Sequence, residues 1–202
     1  MAKHYLKIAA TMVVLSFLSA CSSTPEVQRY LLATPQLSAL DNAEGVQHRI
    51  VIGNVEVAPF LAASGIVQAR NSMTMHQANY HRWAEPLPTQ LPRQLRLGLQ
   101  QQLPEASWLS IQGGAHLRSL DYRLDLSVDS FHMLPNGQAG VSGQWQLRDA
   151  EQGFAGAGRF HSEQPLEADG YAALVAALQA AWTESLEEIA QALLAAFETN
   201  NG

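Results

Sequence analysis

From Leu120 to Val128 every second residue is apolar: Leu120, Tyr122, Leu124, Leu126 and Val128 alternate with Asp121, Arg123, Asp125 and Ser127. A two-residue period is that of a strand with one buried and one wet face. After Ser130 the apolar phase slips to Phe131 and Met133, which predicts a β-bulge near Ser130 or the end of the strand. Pro135-Asn136-Gly137 predicts a turn, and residues 141–147 a returning strand with Val141, Trp145 and Leu147 on one face. A third pass over residues 154–160, loosened by Gly153, Gly156 and Gly158, predicts an edge strand.

The period changes twice to that of a helix. Leucines at 87, 91, 95, 99 and 103 put an apolar stripe on one helix face, as core packing against a sheet requires. With Thr89 as N-cap, Pro92 would fall in the first turn, where its missing N–H costs little, and Pro104 ends the segment. From Asp169, read as an N-cap, a long helix carries Tyr171, Leu174, Val175, Leu178, Trp182, Leu186, Ile189, Leu193 and Phe197 at three- and four-residue steps. Its Glu184, Glu187 and Glu188 read as a solvated face. Residues 27–33 and 48–57 read as strands around a polar loop at 41–45, residues 59–65 as a turn or short helix, and 66–70 with 73–78 as a strand pair about Asn71-Ser72. The expected fold class is α/β or α+β: one domain over residues 27–199, with a single mixed sheet covered by helices.

The first 20 residues stand apart from this pattern. Lys3 and Lys7 precede a mostly apolar run over residues 8–18, and small residues follow at Ser19 and Ala20, the order of a secretion signal. The run is shorter than the roughly 20 apolar residues a membrane span needs. Leu18-Ser19-Ala20-Cys21 resembles the lipobox of bacterial lipoproteins, which implies removal of residues 1–20 and acylation of Cys21. As the only cysteine, Cys21 can form no intramolecular disulfide. Three acyl chains would hold the protein on a membrane permanently. Asp after the cysteine is the usual inner-membrane retention signal of enteric-type bacteria; with Ser22 in its place, the resemblance implies the outer membrane. Residues 21–26 then form the acylated cysteine and a tether that reaches no more than about 20 Å when extended.

Composition narrows the function. Both lysines lie in the leader, so the chain from Cys21 onward holds ten arginines against 18 acids, a formal charge of −8. That balance argues against nucleic acid and against a polybasic clamp on anionic lipid. A chain without lysine also lacks a Schiff-base or P-loop lysine.

No credible catalytic, cofactor or metal set emerges. Gly140-Val141-Ser142-Gly143 lies in a predicted strand, not at the strand-to-helix turn of a nucleophile elbow. His76 and His81, five apart, share neither a helix face nor a strand face. His48, His116, His132 and His161 have no cysteine or carboxylate at ligand spacing. The glycines at 153, 156 and 158 precede no helix, which disfavours a dinucleotide site. Asp121, Asp125 and Asp129 share the wet face of one strand, but each neighbouring pair is about 13 Å apart, too far for an acid and base acting together. The expectation is a protein without enzymatic activity.

Six segments in order carry a resemblance: Tyr30-Leu31-Leu32 just after the lipobox, Val55-Glu56-Val57-Ala58-Pro59-Phe60-Leu61, Arg82-Trp83-Ala84-Glu85-Pro86-Leu87, Val141-Ser142-Gly143-Gln144-Trp145, Asp169-Gly170-Tyr171, and Trp182 in the last helix. Together they resemble the PqiC (YmbA) family of ABC-type transport auxiliary lipoproteins. The resemblance implies a periplasm-facing outer-membrane lipoprotein of an intermembrane lipid transport system that supports envelope integrity. It implies as partner a PqiB-like protein with mammalian-cell-entry domains, and a fold similar to the anticodon-binding-like layers of the TolB N-terminal domain. It supplies no catalytic residue. Trp83 reads as an aromatic plug between loop and core, with a partner contact as the alternative. A homo-oligomer and a bound phospholipid stay open at this point, as does a stand-alone lipoprotein carrying a lipid or small apolar ligand, which would need a sizeable apolar pocket.

Overall fold

A computed structural model describes residues 26–34, 47–110, 120–151 and 153–200. The leader, Cys21, most of the tether, the 41–45 loop and His116 lie outside the described residues. Eight strands form one mixed sheet: β1 (Gln28–Tyr30), β2 (His48–Val57), β3 (Gly65–Ala69), β4 (Met75–Trp83), β5 (Ala106–Ser110), β6 (Tyr122–Met133), β7 (Ala139–Asp149) and β8 (Phe154–Gln164). Among these residues two α-helices, α1 (Leu87–Gln102) and α2 (Tyr171–Asn200), and a 3-10 turn at Pro59–Leu61 complete it. The expected class, a mixed sheet covered by helices, is the one observed.

β6 is the axis. On one side it pairs antiparallel with β7, which pairs antiparallel with β8; on the other it pairs parallel with β2, and β2 with β5. At its far end, Met133 meets Gln68 of β3, which continues antiparallel into β4 and parallel into β1. The predicted bulge is present, with the β6–β7 register shifting between Val128 and Ser130. Tyr122, Leu124, Leu126, Val128 and Phe131 are buried beneath the helices, whereas Arg123, Asp125 and Ser127 face the other way and are half-buried.

The leucine stripe is core: Leu87, Leu91, Leu95, Leu99 and Leu103 are all buried. On α2, Leu174, Leu178, Trp182, Leu186, Ile189, Leu193 and Phe197 are buried in the same cluster. Trp182 meets Phe131 and Phe160 edge-on, with ring centroids 6.2 Å apart in each pair, a favoured geometry for aromatic rings. Trp83 is buried edge-on to Phe131, as expected of a plug.

Several boundaries differ from the sequence reading. Pro86, not Thr89, caps α1, so Pro92 lies in the second turn and leaves the Pro88 carbonyl without its usual helical donor. Gly170, not Asp169, precedes α2; its φ of 101° suits glycine, and its carbonyl accepts from Leu174 N–H. β1 is only three residues long, because the chain leaves the sheet at Leu31. β4 runs past Ala78 to Trp83 because Arg82 and Trp83 pair with β1. β5 is an additional short edge strand after Pro104. β8 is an edge, as expected, but extends to Gln164. Its glycines do more than loosen it: a Cβ on Gly158 would stand 2.8 Å from Trp145 Nε1, so the bare backbone lets the indole lie flat on the strand.

Candidate functional site

Leu32 ties the N-terminal segment to the helix layer. Its N–H donates to Gln90 Oε1 at 3.0 Å, and its carbonyl accepts from Gln94 Nε2 at 3.3 Å. The two glutamines are fully buried and four residues apart on α1, so one helix face presents an acceptor and a donor to one extended peptide. Gln90 Nε2 also donates to the Glu85 carbonyl, and the Glu85 carboxylate pairs with Arg93 at 2.7 Å. One residue outward, Ala84 N–H donates to the Tyr30 carbonyl. Tyr30 Oη donates to Gln28 Oε1 and lies 3.1 Å from His81 Nδ1. His81 stacks on Tyr171 at the start of α2, with centroids 4.1 Å apart and planes 14° apart. Burial pushes the Tyr171 phenol above its ordinary value, against the pull of the Arg70 charge. Three residues of strand are thus reinforced by both helices where the described chain begins.

The other singled-out residues are dispersed. His48 packs on Tyr122 and Phe197, with the Phe197 ring 4.5 Å away. His132 is buried, its Nδ1 2.9 Å from the Met133 carbonyl and its ring edge-on to Phe60. His161 contacts Glu163 at 3.2 Å. His76 lies on β4, five residues from His81, whose ring is taken up by Tyr171. Among the described residues no group of three or more His, Cys, Asp or Glu side chains could hold a metal ion.

The three aspartates of the wet face each serve a neighbour. Asp121 Oδ2 accepts from Arg49 N–H at 2.8 Å, and Asp129 Oδ1 from Ser127 Oγ at 3.3 Å. Asp125 accepts from Arg123 and from Asn54 N–H, at the point where the β2–β6 register shifts. Burial pushes the Asp125 carboxyl up, but the bonds from Arg123 and Asn54 and the charges of Arg123 and Arg148 outweigh it and hold it below its ordinary value. On α2 the exposed glutamates are solvated, and two also clasp β8. Glu184 accepts from Ser162 Oγ and Gln164 Nε2, which lowers its pKa, and Glu188 accepts from His161 N–H.

Two clefts border the helices. One, about 180 Å³, lies between α1 and α2 with Gln94, Gly98, Gln179 and Leu186 in its wall. The other, about 250 Å³, is lined by His48, Leu103, Leu194 and Phe197. Both are smaller than the roughly 300–1,000 Å³ of typical small-molecule sites. A larger hollow of about 770 Å³ at one end of the sheet is open and lined by polar groups such as Gln68, Asn136 and Glu167.

The surface shows apolar groups that the strand pattern did not flag. Met73, in the turn between β3 and β4, is 91% exposed, and Phe154, at the opposite end of the sheet, is 71% exposed. Met75, Tyr80 and Val27 are exposed along β4 and the start of β1. The available signal was Met73-Thr74-Met75 directly after the Asn71-Ser72 turn: two large apolar groups at a hairpin tip, where no core lies within reach. Among the described residues no helix is long and apolar enough to cross a membrane.

Comparison with known proteins places this fold in a family. The chain is 30% identical over 177 residues, 87% of its length, to the intermembrane transport lipoprotein PqiC of Escherichia coli, covering 91% of that protein; the PqiC of Shigella flexneri matches equally. A crystal structure of a protein 28% identical superposes with a TM-score of 0.68, covering 82% of this chain and 97% of that one. A Xanthomonas campestris protein, 16% identical, shares the fold with a TM-score of 0.71 over 87% of this chain and 99% of its own. Residues 30–190 match the family described as the ABC-type transport auxiliary lipoprotein component, and the chain belongs to that family.

Proposed function

We propose that this protein is the lipid-anchored subunit of an intermembrane lipid transport system, acylated on Cys21 after removal of residues 1–20 and standing on the periplasmic face of the outer membrane. Residues 27–199 form its single domain. It receives there a periplasm-spanning, PqiB-like protein with mammalian-cell-entry domains and so supports envelope integrity. The observation that carries the reading is the match to PqiC over nearly the whole of both chains. The protein acts by docking and not by catalysis, in keeping with a family of auxiliary transport components. A tether of about 20 Å cannot cross a periplasm, so the partner does the spanning.

The test is in-cell crosslinking, gentle detergent extraction and affinity purification of the acylated protein, with mass spectrometry of what accompanies it. Recovery of a mammalian-cell-entry protein supports the docking role; its absence at good yield sinks it. A Cys21→Ala variant should lose the acyl mass from its N-terminal peptide and leave the outer-membrane fraction.

A further inference from the structure

The way the chain enters β1 fixes which end of the body lies nearest the anchor. β1 runs parallel to β4, with Gln28 beside His81 and Tyr30 beside Trp83. The chain before Val27 therefore arrives from the side of the N-terminal end of β4, where the β3–β4 turn lies. From Tyr80 back to Met75 is five residues of strand, about 17 Å. The six steps from Cys21 to Val27 reach about 20 Å at most. A body held by Cys21 can bring this hairpin to the membrane surface. The β7–β8 turn is beyond reach, since β6 alone, at 12 residues, separates it from this end by about 40 Å.

The hairpin is built for such a surface in two independent ways. Its tip is apolar and ordered: Asn71 Oδ1 accepts from the N–H groups of Met73 and Thr74, and Arg70 N–H donates to the Thr74 carbonyl at 2.8 Å. Met73 is thereby projected almost wholly into solvent, with Met75 about half exposed behind it. Its charge is also opposite to that of the molecule. Between Glu56 and Glu85 there is no acidic residue, while Arg70 and Arg82 fall in this stretch, in a chain that from Cys21 onward has 18 acids against ten arginines. Tyr80, exposed and amphipathic, lies beside the start of β1, and such side chains suit a membrane–water boundary. The acids at this end of the sheet are Glu26 just before β1, Glu163 on β8, and Glu167 and Asp169 in the loop after it, the last two in the wall of the hollow that Gln68 of β3 also lines; none lies on the hairpin itself.

We infer that the β3–β4 hairpin is a second membrane contact: Met73 and Met75 enter the headgroup boundary of the phospholipid leaflet that holds the acylated Cys21, with Arg70 against lipid phosphates. This rests on the acylation of Cys21 under the proposed function. An acyl anchor alone leaves orientation free; the hairpin removes that freedom and sets which end of the sheet faces the lipid.

With Cys21 acylated, Met73→Cys supplies the sole free thiol for an environment-sensitive fluorophore, and Glu151→Cys, in the β7–β8 turn, supplies a distal one. The full acylated protein is reconstituted in vesicles of phosphatidylethanolamine and phosphatidylglycerol, with and without brominated acyl chains. The expected result is a blue shift and bromolipid quenching at position 73 and neither at 151, with the 73 signal weakened by Met75→Asp. A protein that floats with the vesicles but shows no quenching at 73 overturns the hairpin contact and leaves the anchor intact. If the 73 label is shielded in native membranes only alongside a crosslinked protein, the occupant is that protein and the lipid contact is wrong. Failure to float at all refutes the anchor first and the hairpin contact with it.

Discussion

The two sides of β6 are held by different means. Toward β7 and β8, β6 has an almost unbroken antiparallel register from Tyr122 to Met133, and β7 has another with β8 from Ala139 to Gln164, both roofed by α2. Toward β3, β4 and β1 the sheet connects through one pair, Gln68 and Met133, and the outermost strand has three residues. Apart from the β2–β6 ladder, that side depends on side chains: the glutamines of α1, the Tyr30–His81–Tyr171 cluster and the Trp83 plug. A long ladder gives stability that no single residue controls, whereas a short strand pinned by specific groups can bear a tether yet be released by single substitutions. If so, mutations in the meander should lower global stability, and those around β1 should loosen one segment.

The largest effect is expected at Trp182, fully buried where α2 meets the meander. Trp182→Ala should cost about 3–5 kcal/mol in chemical denaturation, as deletion of large buried aromatics does. Trp182→Phe should cost much less, because the indole N–H finds no acceptor among the described residues and only volume is lost. Equal losses from the two variants would show that this N–H has a partner that matters. Next is Gly143, where a Cβ would come 2.1 Å from the Ser127 carbonyl oxygen, part of a backbone already fixed in the ladder. Gly143→Ala should destabilise by about 1–3 kcal/mol, as overpacking does, and should lower the thermal midpoint without loosening β1.

The contrasting prediction concerns Gln90. Gln90→Ala leaves the Leu32 N–H buried without its acceptor, a cost of about 1–3 kcal/mol. The chain there can detach without unfolding the meander, so the loss should appear locally. Amide exchange at Tyr30 and Leu32 should accelerate toward that of a frayed terminus, while Leu124 and Leu147 stay protected. Uniform acceleration across both sets would mean that the two sides of β6 unfold as one unit.

The same division decided what was legible in the sequence. The meander and helices write themselves in period: the alternation through Tyr122, Leu124 and Leu126, the slip after Ser130, and the four-residue leucine stripe each follow from local geometry. The β1 side does not, because its order comes from contacts distant in sequence. Gln90 and Gln94 look like solvent-facing residues of an amphipathic helix until Leu32, about 60 positions away, is laid against them. Residues 31–33 look like strand, yet the N–H and carbonyl of Leu32 bond to side chains. The caps failed for a related reason: Thr89 and Asp169 have the right chemistry, but Pro86 and Gly170 hold the backbone angles that start the helices. The absence of acids between Glu56 and Glu85 was visible in the sequence, but it became informative only when β1 was seen to run from the hairpin side of β4.

The smallest effect tests the junction between the two sides, where the bulge in β2 is held by Asp125. Its folded pKa lies below the ordinary 3.8, since the bonds and charges of Arg123, Asn54 and Arg148 outweigh the cost of burial. A carboxylate with a depressed folded pKa binds protons more readily when unfolded, so stability rises with pH through the interval between the two values. Its contribution is complete above the unfolded value and is lost as pH falls through the lowered folded value. Asp125→Asn should therefore lower stability near neutrality and flatten this part of the acid limb, with little difference from the parent once the parent carboxylate is protonated. Because Asp125 lies against β2 and not β1, the Leu32 exchange rate should not follow this pH dependence. If it does, the bulge and the tether attachment are coupled across β6, and the partition between ladder-held and side-chain-held halves fails at the strand that defines it.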